Sequence, residues 1–241
     1  DPSILICPSD SQETVDTLKA DKDISLLNGT VIHAGDFHIG YHLDWSKGIN
    51  CVDASYGYFG WCFDRLSESY YENAGDIPML TLLTTALGVT IAADTPVPAQ
   101  LPRALVQLML NFPDAAACAV TPTSDCVALA SQLAENDAKN GEQNILSGWG
   151  NGGGDTIYRL REGIERFLIA NINDPGATAM AQSDIFIMLD LIGAGGTTSI
   201  FNHIPGGCNI LYLDGHCTFA RYPGVPPLNA GMASIMQLFK V

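Results

Sequence analysis

Five histidines fall in two groups along the 241-residue chain. The first lies in His33-Ala-Gly-Asp36-Phe-His38-Ile-Gly-Tyr-His42-Leu-Asp44, and the second is His203 with Asp214 and His216. Imidazole and carboxylate at short spacing suit zinc or manganese. His33, Asp36 and His38, and separately His203, Asp214 and His216, are therefore two candidate ligand sets of a metal-dependent secreted enzyme. On an extended strand His38 and His42 point the same way as Asp36 and Asp44. The outer two then stand ~26 Å apart by strand rise, so one ion cannot hold all four on a straight strand. The spacing favours a plainer reading, a polar strand face. At His203 it favours a histidine that hydrogen-bonds the Asp214 turn and locks a hairpin register.

Other catalytic signatures are absent. There is no G-x-S-x-G nucleophile elbow and no H-E-x-x-H. Gly150-Asn-Gly-Gly-Gly-Asp155 lacks the Lys-Ser/Thr of a phosphate loop and reads as a flexible or interface loop. Glu162 and Glu165 share one expected helix, mostly solvated, and make a poor glycosidase pair. Asp10, Asp21, Asp23, Asp36, Asp94, Asp174 and Asp190 are scattered, with no Asp-x-Asp-x-Asp-Gly loop. Hard oxygen ligands suit Ca²⁺, so calcium is the cation that the acidic excess suggests, at no site the spacing defines. No catalytic residue is assigned, and the expectation is a non-enzyme.

Seven cysteines stand at 7, 51, 62, 118, 126, 208 and 217, with no C-x-x-C and no zinc-ribbon spacing. Low charge and many Gly/Pro turns suit an exported domain, where disulfides form. Buried free thiols acting as small hydrophobes are the alternative. Cys118 and Cys126 flank a Thr-Pro-Thr-Ser-Asp turn and form the first candidate pair. Cys51 and Cys62 flank an aromatic segment and form the second. Asp214-Gly215 reads as a two-residue hairpin turn, with Gly215 at φ > 0. In that register Cys217 faces Tyr212 and Cys208 faces Arg221. Both sulfurs then lie on one face, too far apart to bond. The odd count leaves at least one thiol free or bonded between chains.

Eleven Lys+Arg oppose 26 Asp+Glu, a formal net charge of −15. Such a chain has little with which to displace phosphate counterions, so nucleic acid is not expected as a partner, nor is an anionic membrane surface. Hydrophobic residues make up 47% and charged residues 15%, which excludes a disordered acidic tail. No apolar run reaches the ~18 residues of a membrane span.

The elements that must position these groups follow from periodicity. A short strand is expected at Ile4–Cys7, a polar helix near Gln12–Ala20, a glycine-spaced aromatic strand at Asp53–Trp61 and a helix at Asp64–Tyr71. Ile77–Ala93 is apolar and fits either helix or strand. Pro102 opens a helix whose stripe is Leu105, Leu108, Met109 and Phe112. Val127–Asn136 is another helix, and 140–155 a loop. Thr156–Ala170 gives the clearest helix, with Ile157, Leu160, Ile164, Phe167 and Leu168 on one stripe and Asp155 as its N-cap. Asp184–Asp190 is a strand covered on both faces. Gly193–Thr198 is a flexible loop, followed by the hairpin Asn209–Tyr222 and a closing helix to Val241. The whole reads as one domain, 1–241, weakest at the loop 140–155.

Several segments resemble one family. Tyr158-Arg-Leu-Arg-Glu-Gly-Ile-Glu-Arg-Phe-Leu-Ile169, Asn173-Asp-Pro-Gly-Ala177, Met180-Ala-Gln-Ser183 and Phe201-Asn-His-Ile-Pro-Gly-Gly-Cys-Asn-Ile-Leu-Tyr-Leu-Asp-Gly-His216 are similar to exported bacterial prepilin-type proteins. These are the type IV pilin and type II secretion pseudopilin-like proteins with a C-terminal H-x(9-10)-D-G motif, here His203, Asp214 and Gly215 followed by His216. Cys7-Pro-Ser-Asp10 and Ser55-Tyr-Gly-Tyr-Phe-Gly-Trp61 resemble the same group. The resemblance implies an α+β head with an antiparallel sheet, a C-terminal β-hairpin and packed helices. It implies a cell-surface or extracellular subunit that assembles with copies of itself, and some pseudopilins bind calcium. Members carry an apolar N-terminal helix. This sequence begins at the Cys-Pro-Ser-Asp region without one, so the expectation is a pilin-like subunit or its processed head.

Overall fold

The computed structural model describes residues 4, 6–9, 14–25, 29, 31–37, 55–118, 126–164, 182–195, 198–203 and 206–239. Of these, 126–128, 130, 193–195, 198–201 and 239 are described by backbone alone. In chain order the elements are strands β1 (Ile24–Ser25), β2 (Val31–Ile32), β3 (Tyr56–Tyr58) and β4 (Tyr71–Asn73), then helix α1 (Leu80–Ala86) and β5 (Pro96–Pro98). Helices α2 (Gln100–Asn111), α3 (Pro113–Ala117) and α4 (Cys126–Glu135) follow, then β6 (Ala138–Lys139) and β7 (Thr156–Ile157). The C-terminal part holds β8 (Phe186–Asp190), β9 (Ile192–Gly195), β10 (Thr198–Phe201), β11 (Gly207–Tyr212), β12 (Cys217–Arg221) and helix α5 (Ala230–Met236). The fold class is α+β with antiparallel pairing, as expected. No helix among the described residues is long and apolar enough to cross a membrane.

The main sheet runs β12-β11-β8-β3. Its two faces differ because side chains alternate along each strand. Leu189, Ile210 and Cys208 point inward and are 1%, 1% and 0% exposed. There they join the main core with Phe59, Phe63, Val97, Leu101, Leu108, Met232 and Ile235. Phe59 anchors this layer, edge-on to both Phe63 and Phe186 at 6.2 and 5.0 Å. The outer face carries two cross-strand rows. One is Tyr58, Met188, Leu211 and Cys217; the other is Tyr56, Asp190, Asn209 and Phe219.

Helix α2 turns a more polar side inward than its apolar stripe suggests. It begins at Gln100, so Pro102 lies inside its first turn. Leu101, Ala104 and Leu108 are buried, while Leu105, Met109 and Phe112 are only half-buried. The rotation is set by Arg103 and Gln100, which are buried with partners. Arg103 pairs with Glu72 at 2.6 Å, donates to the Ile145 carbonyl at 2.9 Å and lies over Trp149. Gln100 donates to Asp64 and the Trp149 carbonyl and accepts from Arg65 N–H. These bonds fold the loop 140–155 onto the core, where Ile145 and Leu146 are 2% and 0% exposed. The loop expected to be the weakest point is thus stitched to α2.

The helix expected from Thr156 is not formed over the described part of that range. Thr156–Ile157 pairs with β6 instead. Beyond it, Cys62 N–H donates to the Tyr158 carbonyl and Leu160 N–H to the Gly60 carbonyl. Asn151 and Asp137 side chains accept from Tyr158 and Arg159 N–H. Asp155 accepts from Gly148 N–H rather than capping a helix. Gly163 then takes φ +76, a left-handed conformation that ends any helical run. The apolar stripe is real, since Ile157 and Ile164 are buried, but extended backbone delivers it. Residues 165–170 lie outside the described residues.

Smaller departures have the same character. Residues 6–9 and 14–18 form bends and turns, not a strand and a helix. Asp64–Tyr71 holds only a single 3-10 turn, Glu68–Tyr70. The segment expected as a flexible loop at 193–198 contributes the hairpin β9–β10, with Gly195 opposite Thr198. The N-terminal part of the chain, described residues up to 37, carries two small clusters of its own, Leu18 with Ile6 and Phe37, and Ala20 with Ile32 and Ile24. Both are separate from the main core.

Candidate functional site

The site lies where β8 ends, on the outer face of the main sheet. Asp190 is the last residue of β8, with Tyr56 of β3 on one side and Asn209 of β11 on the other. Its side chain is 3% exposed. Burying a carboxylate is costly unless donors surround it, and three converge on its Oδ2. Asn209 donates from its backbone N–H at 2.7 Å and its amide at 2.9 Å, and His203 Nε2 lies at 2.8 Å.

His203 lies two residues past the end of β10, before β11. Asn202 donates to the Ser55 carbonyl, and His203 bridges to Gly207 at the start of β11. The ring stands edge-on to Phe219 at 5.8 Å. Its Nε2 also faces the Cys7 Sγ at 3.5 Å and the Asn209 amide at 3.1 Å. Cys7 is 3% exposed. The Tyr56 phenol borders the same cluster; burial first, then the neighbouring Cys7 and Asp190, push its pKa up. Cys7, Asp190 and His203 thus present three ligand atoms within 4.8 Å of one another, and no other such group of three occurs among the described residues.

A nucleophile and base relay would need the imidazole to face the thiol with one nitrogen and its orienting acid with the other. Here one nitrogen, Nε2, faces both, which is the geometry of convergent ligands.

The sequence-expected residues are distributed differently. His203 does not hold the Asp214 turn. Asp214 instead accepts from the backbone N–H and Nδ1 of its near neighbour His216, which together hold its carboxyl below the usual range. His216 stacks flat on Tyr212 at 4.3 Å. The second histidine set is therefore split, with His203 on Asp190 and His216 on Asp214. In the first set, His33 Nδ1 pairs with Asp23 at 3.2 Å, and Asp36 accepts from the His33 backbone N–H. His38, His42 and Asp44 lie outside the described residues, as does Cys51.

The hairpin register is shifted by one residue from the expected one. Cys208 faces Ala220 and Leu211 faces Cys217. The loop has three residues, Leu213-Asp214-Gly215, closed by Tyr212 N–H to the His216 carbonyl, with Gly215 at φ +88. A type I turn followed by a left-handed glycine accounts for the extra residue. The slip puts Cys208 on the buried face and Cys217 on the exposed one. They are both free thiols, as is Cys62, so Cys62 is not paired with Cys51. Burial pushes the Cys62 and Cys208 thiols up to about 12. Cys118 is disulfide-bonded; the side chain of its candidate partner Cys126 lies outside the described residues.

In the sequence Asp190 is one of several scattered carboxylates, Cys7 stands out only as one of seven cysteines and within the Cys7-Pro-Ser-Asp10 resemblance, and no spacing singles out Asn209. Phe201-Asn-His and Gly-Gly-Cys-Asn209 stand out in the sequence only as parts of the resemblance at 201–216. Comparison of the chain with protein-family models, with curated proteins and with solved structures finds no match.

Proposed function

We propose that the chain is the globular head of a pilin-like subunit, a structural component that meets copies of itself in an exported filament, pseudopilus or cell-surface assembly of a bacterium. The observation that carries this reading is the uncovered outer row of the main sheet. In that row Tyr58 is 67% exposed on one edge strand, half-buried Met188 and Leu211 follow, and Cys217 is exposed on the other edge strand; Phe219, in the neighbouring row of the same edge strand, is 56% exposed. Among the described residues no strand pairs with the outer edge of β12. An edge with exposed aromatic side chains is a ready surface for pairing with a second chain. The resemblance of the 201–216 segment supports the same reading. The free, exposed Cys217 sits in the row and would fix a neighbour covalently if two copies brought it together.

The net charge of −15 opposes self-association, so contact is favoured by salt or by divalent cations. Sedimentation velocity over a concentration series, in low salt, high salt and calcium, tests the proposal. Assembly that grows with salt or calcium is expected, and the double variant Tyr58→Asp with Phe219→Asp should return it to monomer. A single monomeric species under every condition sinks the reading. Electron microscopy of the assembled material separates long fibres from a short pseudopilus.

A further inference from the structure

We propose that Cys7, Asp190 and His203 form a zinc site that clasps the N-terminal segment to the outer face of the sheet. The donor set is thiolate, imidazole and carboxylate, which selects zinc over calcium or magnesium. At usual bond lengths, a sulfur and a nitrogen on tetrahedral zinc stand about 3.5 Å apart. Cys7 Sγ and His203 Nε2 are already 3.5 Å apart. The 2.8 Å contact of His203 with Asp190 must open by roughly half an ångström, replacing one hydrogen bond by two metal bonds. Asp190 keeps the Asn209 N–H and amide as donors, the outer contacts that orient a ligating carboxylate. Three protein ligands leave the fourth position to water. Binding displaces the Cys7 thiol proton to solvent, and the neutral imidazole binds through Nε2 with its single proton on Nδ1, so affinity rises with pH.

The site spans the chain. Cys7 and His203 are 196 residues apart in sequence. Ile6, next to Cys7, packs on the Leu18 cluster, which is separate from the main core. Zinc would therefore join two parts of the molecule whose apolar clusters are not shared.

The test is titration of the reduced full chain with Co²⁺, followed by displacement with Zn²⁺. One equivalent should bind, with intense visible bands of tetrahedral cobalt and a thiolate charge-transfer band. Cys7→Ser should abolish the charge-transfer band. Asn209→Ala, at an exposed position, should weaken binding about 10- to 100-fold. Cys217→Ser should change nothing. X-ray absorption of the one-zinc wild-type protein needs no variant, and should show one sulfur at about 2.3 Å with the remaining ligands nitrogen or oxygen. Absence of stoichiometric binding to the wild type overturns the proposal. So does a first shell without sulfur, or a charge-transfer band that survives in Cys7→Ser.

Discussion

His203 and Asp190 meet at 2.8 Å although the chain leaves the main sheet after Asp190 and runs through the β9–β10 hairpin before His203. The pair closes that excursion and fixes where β11 re-enters beside β8. Its buried member is the carboxylate, at 3% side-chain exposure against 23% for the imidazole. Asp190→Ala is expected to cost about 1–3 kcal/mol, since it strands the Asn209 N–H without its acceptor. His203→Ala should cost a similar amount, about 1–3 kcal/mol, discounted from a fully buried pair because the ring is partly solvated. Urea unfolding in chelator measures both. The double variant should lose less than the sum, because each change removes the same contact.

The buried thiols make a labelling prediction. Cys62 and Cys208 are 0% exposed and their pKa values are pushed up to about 12, by burial first and then by nearby carboxylates. Thiolates are the reactive species. Of the four free cysteines described, Cys217 should therefore label first with a disulfide reagent at pH 8, and Cys62 and Cys208 only on unfolding. Peptide mapping of the native protein after brief exposure reads the order directly. Equal labelling of Cys208 and Cys217 would contradict the observed hairpin register.

How far the sequence alone reached is clearest in that hairpin. The strands, the turn and the separation of Cys208 from Cys217 were legible, because Asp-Gly between alternating apolar residues is a strong local signal. The register was not, since a two-residue and a three-residue loop share the same Asp-Gly. That slip decides which cysteine is buried. The helix expected at Thr156 failed for a different reason. Ile157 and Ile164 have helical spacing, but backbone partners at Gly60 and Cys62 and the side chains of Asn151 and Asp137 claim the local N–H and C=O groups. Periodicity reports which residues are buried and is blind to such partners. The candidate site was the least legible part. It takes one residue near each end of the chain and one from the end of β8, and no spacing rule joins them.

Alkaline pH should destabilise the fold. The thiols of Cys62 and Cys208 rise from an ordinary 9.0, and the Tyr71 phenol from 10.0, each to about 12, with burial the first cause. All three are neutral when protonated, so the folded state holds those protons more tightly than the unfolded chain. Their contribution is full below pH 9, where both states are protonated. It declines as pH rises from about 9 through about 12, because the unfolded state releases its protons first. Unfolding free energy measured from pH 7 to 11 should be level at first and then fall. A stability that climbs above pH 9 would show that these groups do not control it.

Arg103 should be the costliest single surface-to-core tie in α2. Its guanidinium pairs with Glu72, donates to the Ile145 carbonyl and lies over the Trp149 ring at 4.9 Å. Arg103→Ala removes all three and leaves Glu72 without its cation, for about 3 kcal/mol. Arg103→Lys keeps the charge but not the planar fork, and should recover less than half of that loss. Because Ile145 belongs to the loop 140–155, the Ala variant should also open that loop. Limited proteolysis would then cut within 140–155 faster than in the wild type, while sites in β11 and β12 stay protected. Uniform cleavage would mean that Arg103 supports the whole fold and has no special hold on the loop.

The hairpin turn offers the sharpest test of the motif at 214–216. Gly215 stands at φ +88 with open space where a side chain would point. Gly215→Ala therefore meets no clash, and its cost is conformational alone, about 1 kcal/mol. Gly215→Asn should cost less, since asparagine tolerates the left-handed region. Gly215→Val should cost more than alanine, because a branched side chain resists that backbone. Chemical denaturation of the three variants orders them as Asn, Ala, Val from mildest to most severe. If Asp214 and Gly215 instead serve the His203 site, zinc affinity would follow the same order. The observed split of the two histidines requires it to stay constant across the series, since His203 contacts Asp190 and only His216 contacts Asp214.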